Sequence, residues 1–217
     1  MSDSSSKTPQ TDQLALGVSY LSWRESLSSG VHALQAELVE SEAKTTTQRG
    51  FVPVAIPGLL QTPEYARRVF ENNATFGEVP ATVDEAVRLR MQRQEVLNAP
   101  EKSFHIVMTE APLHYCLVPS QAMLPQLERL IVASALPTLR LGIIPFKAMP
   151  LGGIPYNGFW IEEERFVAVE TFSGELQLTQ PDDIALYAKV FDQMATAAVY
   201  DNEARQLISR IALASTP

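Results

Sequence analysis

Two short stretches hold most of the side chains that could do chemistry. In the first, Glu110 and His114 stand four residues apart, a spacing that puts both on one face of a helix. A carboxylate beside an imidazole fixes the ring's tautomer and raises its basicity, which is what a general base requires. The ordinary alternative is a solvated pair, because most such pairs do no chemistry. Cys116 is the only cysteine. As a nucleophile it needs a partner that lowers its pKa, and otherwise it is a small buried hydrophobe beside Tyr115. His105, one strand earlier, would complete a trio with Glu110 and His114. Their spacing matches no metal-binding pattern, so neither metal nor cofactor is expected. In the second stretch, Gly152-Gly153 leads into Tyr156, Asn157 and Trp160. Aromatic rings with polar tips suit a pocket mouth. The alternative is sheet core, since Phe159 and Ile161 alternate with Trp160 and Glu162. The glycine pair lacks the Lys-Ser/Thr of a phosphate loop. Arg90 and Arg93 share a helix face and could clamp an anion, or lie on a solvated face.

The elements that must position these groups follow from pattern. Residues 1–18 are rich in Ser, Thr, Asp and Gln and read as a disordered tail, leaving 19–217 as a single domain. Trp23, Leu27, Val31, Leu34 and Leu38 predict a helix from Ser19, weakened at Gly30. A β-branched run at Thr45–Thr47 suits a strand. Phe51–Ala66 is the most distinctive stretch, an apolar run stopped by Pro57-Gly58, then Leu59 and Leu60, then a helix start at Thr62-Pro63-Glu64. Leu59, Leu60 and Gln61 are placed at the wall of any cavity. Thr82 and Glu85 form a capping box for a helix to about Ala99. Ser103–Thr109 and Thr138–Phe146 are strands joined through a helix at 120–135, hence parallel neighbours. A short helix is expected over Glu110–Leu117. A three-strand meander spans Tyr156–Leu178, and two helices follow, from Pro181 and from Asp201. The order predicts an α/β (α+β) fold, a mixed sheet flanked by helices.

Composition bounds the function. Hydrophobic residues make up 46% and charged residues 19%, enough for a packed core. Seventeen Lys and Arg against 25 Asp and Glu give a net charge of -8, which argues against a nucleic-acid backbone as the main partner. The lone cysteine, together with an N-terminus lacking an apolar signal segment, points to a cytoplasmic protein with no membrane association.

IPGLLQTPEYA, followed by Arg90-x-x-Arg93-Gln94 and then Glu110-Ala111-x-Leu113, resembles an actinobacterial family. That family is the C-terminal domain of unknown function behind XRE-type helix-turn-helix modules in WhiJ-like and antitoxin-like regulators. Gln126-Leu127, Pro145, the Gly152-Gly153 loop leading to Phe159, and Val169-Glu170 add to the likeness, which runs from about Tyr20 onward. The segment after Glu110-Ala111 departs from it. Arginines are usual there, and this chain has Leu113-His114-Tyr115-Cys116-Leu117. Too few residues precede the match for a helix-turn-helix module. The resemblance therefore implies a stand-alone, regulator-derived domain that binds a small apolar molecule or a partner protein, with a homodimer possible. A cofactor-independent cyclase or isomerase acting on a natural-product intermediate is the alternative, resting on Glu110 and His114.

Overall fold

Seven apolar or alternating runs join into one mixed sheet in the computed structural model, which describes residues 17–74, 83–115, 117–148, 153 and 157–214. The strands are β1 (Val18–Ser22), β2 (Thr47–Val52), β3 (Ser103–Thr109), β4 (Leu139–Ile144), β5 (Phe159–Glu162), β6 (Phe166–Glu170) and β7 (Gly174–Leu178). Their spatial order is β1-β7-β6-β5-β2-β3-β4. β2, β3 and β4 are parallel, and the other pairings are antiparallel. The helices are α1 (Trp23–Ser26), α2 (Val31–Lys44), α3 (Pro63–Ala74), α4 (Val83–Arg93), α5 (Ser120–Ala133), α6 (Pro181–Ala197) and α7 (Asp201–Ala214).

Stepping from β2 to β3 to β4 in one direction with right-handed crossovers puts the intervening helices on one face. Phe104, Ile106, Met108, Leu141 and Ile143 accordingly meet Leu60, Tyr65, Leu97, Leu127 and Leu130 there, joined by Leu207 and Ile208 of α7. On the opposite face α6 packs Ile184, Phe191 and Met194 against Phe51, Val107, Ile144, Phe159 and Val167. The chain passes between the faces at Val199. Its N–H and C=O exchange hydrogen bonds of 2.8 and 3.0 Å with Ile143, which covers part of the outer edge of β4. Gly50 in β2 leaves room for the Trp160 ring, which occupies the place a Cβ would take.

The α/β architecture, the parallel β3–β4 pair with the helix between them, the meander and the two C-terminal helices follow the sequence patterns. Four local expectations are corrected. The helix predicted from Ser19 is a strand, β1, then the single turn α1, then a break where Gly30 takes φ +94° before α2. β1 exists because β7, more than 150 positions away, supplies its ladder, a contact that local periodicity cannot reveal. The same strand begins at Val18, inside the expected tail. The helix predicted to Ala99 ends at Arg93 and continues as a 3₁₀ turn, Gln94–Asn98. Only a 3₁₀ turn, Ala111–Leu113, forms where a helix to Leu117 was expected, with Pro112 inside it. Residues 1–16, Thr82, Cys116, Gly152 and Tyr156 lie outside the described residues.

Candidate functional site

The carboxyl ends of β2, β3 and β4 bring the first predicted pair together. Thr109 donates from Oγ1 to the Pro53 carbonyl at 2.6 Å, locking the ends of β3 and β2. Glu110 continues the β3–β4 ladder, its N–H donating to the Ile144 carbonyl at 2.9 Å. One carboxylate oxygen accepts from the Phe146 N–H at 2.8 Å, and the other lies 3.0 Å from His114 Nε2. The imidazole stacks on the Phe146 ring, with centroids 5.2 Å apart and planes at 25°. Glu110 is thus a staple between two strand ends that also orients His114. The Glu110 side chain is only 13% exposed, while His114 sits at the surface, its side chain 43% exposed. Around it Val54, Tyr115, Leu117 and Phe146 expose apolar surface, Phe146 to 64%. Val54 follows β2, Tyr115 and Leu117 follow β3, and Phe146 follows β4, so an exposed apolar residue comes after each of the three parallel strands, referred to below as the apolar fringe. Ligands of open α/β sheets bind outside the carboxyl ends of the strands.

A second cluster takes up the arginines. Arg93 is buried and makes a bidentate pair with Glu42 of α2, while its third donor group reaches Gln35 Oε1 at 2.8 Å. Arg90 donates to Gln35 Oε1 at 3.2 Å and Gln61 Oε1 at 2.8 Å, and lies over the Phe70 ring at 4.3 Å. Burial first, then Arg93, pushes its pKa down to about 9, so it keeps its charge at neutral pH. Lys102 donates from Nζ to the Glu42, Ala43 and Thr45 carbonyls and so satisfies the free carbonyl end of α2. Gln61, Gln94 and Gln126 bond the backbone of the turn itself. Gln61 Nε2 donates to the Ile56 carbonyl at 2.8 Å and Gln94 Nε2 to the Gln61 carbonyl at 2.7 Å. Gln126 donates to the Leu60 carbonyl at 2.8 Å and accepts from the Thr62 N–H at 2.7 Å. An irregular buried turn must have its backbone groups paired, and these three glutamines do that.

A third place is a cavity of about 550 Å³ at the amino-terminal ends of β2 and β3. Thr47, Arg49, Ser103 and His105 contribute to it from those strands, and Glu163 and Glu164 from the turn after β5. His105 Nε2 lies 3.0 Å from Tyr200 Oη, and its ring meets Phe191 edge to face at 4.8 Å. Burial, then Arg140 and Arg49, lower its pKa to about 4.

The predicted residues therefore separate. Glu110 and His114 are paired, with Tyr115 exposed beside them. Leu59 and Leu60 are core, 2% and 0% exposed. Gln61 and Arg93 belong to the buried network rather than to a solvated face or a cavity wall. His105 lies at the amino edge, far along β3 from Glu110 at the other end of that strand, so the three candidate metal ligands do not converge. Trp160 fills the space over Gly50, and Asn157 is exposed. Phe146, Val54, Glu42, Gln35 and Tyr200 were not legible as partners. Phe146 was expected as the last residue of a strand and instead lies two residues past the end of β4. Among the described residues no group of His, Cys, Asp and Glu is placed to hold a metal, and no helix is long and apolar enough to cross a membrane.

With this geometry in hand, comparison with known proteins yields one decisive match. The family described as a domain of unknown function (DUF5753) matches residues 35–210. The chain belongs to that family. Its matched span runs from Gln35 of the buried network into α7, and so takes in β2–β7 and both faces of the sheet. No curated protein matches the DUF5753 chain. Among solved structures it is similar to Nuc, a phospholipase D family member from Salmonella typhimurium, at 8% identity and a TM-score of 0.46, over 85% of this chain and 97% of that one. NucT from Helicobacter pylori gives 10% identity and 0.43, over 85% and 97%. TrmBL2, an archaeal chromatin protein, gives 11% and 0.41, over 85% and 55%.

Proposed function

We propose that this DUF5753 chain is a non-catalytic binding domain, akin to the C-terminal domain of XRE-type actinobacterial regulators. It works in the cytoplasm without contacting nucleic acid. It takes a small apolar molecule, or the apolar side chains of a partner protein, at the carboxyl ends of β2, β3 and β4. The observation that carries this reading is the exposed apolar fringe of Val54, Tyr115, Leu117 and Phe146 on three adjacent strand ends. Apolar side chains gathered on a rigid edge mark interaction surfaces, whereas single exposed ones do not. The acidic charge supports it by disfavouring a phosphate backbone.

One observation favours a second reading, a cyclase or isomerase. His114 Nε2 stands 3.0 Å from a carboxylate, as a general base would. Against it, Glu110 already serves the Phe146 N–H. Phe146→Ser separates the proposals. The ring is largely exposed, so the fold tolerates the change, and losing the apolar contact weakens binding about 10- to 100-fold. Thermal-shift and titration screens against metabolite and protein fractions of the source cell read this out. Binding unchanged by Phe146→Ser removes the fringe as the site. Product formation abolished by His114→Ala, with binding intact, establishes the enzyme instead.

A further inference from the structure

We propose that the cavity at the amino-terminal ends of β2 and β3 binds a small oxyanion, the carboxylate or phosphate group of a metabolite, between Arg49 and His105. This site is separate from the apolar fringe, which lies at the opposite ends of the same strands. Arg49, His105 and Arg140 are register partners across β2, β3 and β4, so they form a transverse row on one face of the sheet. Thr47 and Ser103 are register partners two residues earlier, on the same face. Two hydroxyls therefore stand beside a guanidinium and an imidazole at the mouth of an open cavity. Guanidinium donors with nearby hydroxyls are a common oxyanion seat.

The acids around this row leave the seat open. Asp192 of α6 lies 3.9 Å from Arg49 and its side chain is 72% exposed, a loose pair that an anion displaces at little cost. Glu163 is taken up by the Thr46 N–H at 2.9 Å, the Thr46 hydroxyl at 3.0 Å and Arg165 at 3.0 Å. Glu164 lines the cavity from the same turn and is exposed to solvent. Arg140 lies over the Tyr200 ring at 4.5 Å, adding positive charge from the far side.

His105 makes the site proton-coupled. Tyr200 donates its single hydroxyl proton to the Ala195 carbonyl at 2.9 Å. The hydroxyl must then accept from His105, which fixes the proton on Nε2 and leaves Nδ1 an acceptor while the ring is neutral. Taking up a proton turns Nδ1 into a donor. Two of the causes that keep the ring neutral are Arg140 and Arg49, and an anion bound there offsets both. Anion binding and protonation of His105 therefore favour each other.

The chain has three histidines, so His32 and His114 serve as internal references for ring resonances. The test is an NMR pH titration of the full chain in inorganic phosphate, in acetate and in chloride at matched ionic strength. The His105 midpoint should rise in phosphate or acetate relative to chloride. The larger rise identifies the phosphate or carboxylate class. Arg49→Gln should abolish the rise, with the amide spectrum confirming the fold. A His105 midpoint identical in all three salts overturns the proposal, as does a rise that persists in Arg49→Gln.

Discussion

Glu42→Ala is expected to destabilise the chain by about 3–5 kcal/mol, the usual cost of leaving one member of a buried ion pair behind. Glu42 is 5% exposed and Arg93 8%, and both carboxylate oxygens are bonded to the guanidinium. Removing the carboxylate strands the Arg93 charge, with Arg90 close by on the same amide oxygen of Gln35. It also detaches α2, whose only buried side chains are Gln35 and Glu42. Val31 packs this helix against the cluster of Ala66, Phe70, Ala86 and Val87, but its two buried side chains are polar. Replacing both partners, Glu42→Met with Arg93→Met, should recover much of the loss, because the desolvation cost of two charges disappears with them. Equilibrium urea unfolding measures both. A Glu42→Ala loss within about 0.5 kcal/mol, the range of an ordinary surface change, contradicts this account of the network.

Leu60→Ala is expected to cost about 2–5 kcal/mol through lost burial plus the cavity left behind. Leu60 is fully buried at the junction of the turn, α5 and the sheet. Its neighbours are held by the glutamine bonds to the backbone, so the site cannot readily collapse to fill the hole. The same variant should leave binding at the carboxyl edge unchanged at temperatures where it is folded, since Leu60 lines the core and not the fringe. Thermal unfolding and a binding titration on one sample check both halves.

β3, β4 and the helices after them were readable because their signals are local, whereas the strand expected at Thr45–Thr47 forms instead over Thr47–Val52. β3 alternates sides along Ser103–Thr109, and α6 places Ile184, Phe191 and Met194 at helical spacing on the core side. The N-terminal region was misread for the opposite reason. Trp23, Leu27 and Val31 fit helical spacing, yet Gly30 at positive φ and the distant partner β7 decide the outcome. In α2 the expected face of Val31, Leu34 and Leu38 is only half-buried, while Gln35 and Glu42 turn inward to arginines more than fifty positions away. The Glu110–His114 pair was legible as a four-residue spacing, although a 3₁₀ turn rather than a helix closes it. What Glu110 does with its second oxygen depended on Phe146, thirty-six positions on, and no spacing rule predicts such a contact. IPGLLQT was the most distinctive stretch, and its turn is a scaffold, since Gln61, Gln94 and Gln126 spend their amides on its backbone.

The binding edge itself is tested most directly by amide hydrogen exchange on the intact chain, in buffer and in the metabolite and protein fractions of the source cell. Exchange should slow at Glu110–Tyr115 and Phe146–Lys147, with the amino ends of β2 and β3 unchanged in fractions free of small oxyanions. Protection confined to any other surface, with the carboxyl edge exchanging as in buffer, contradicts it.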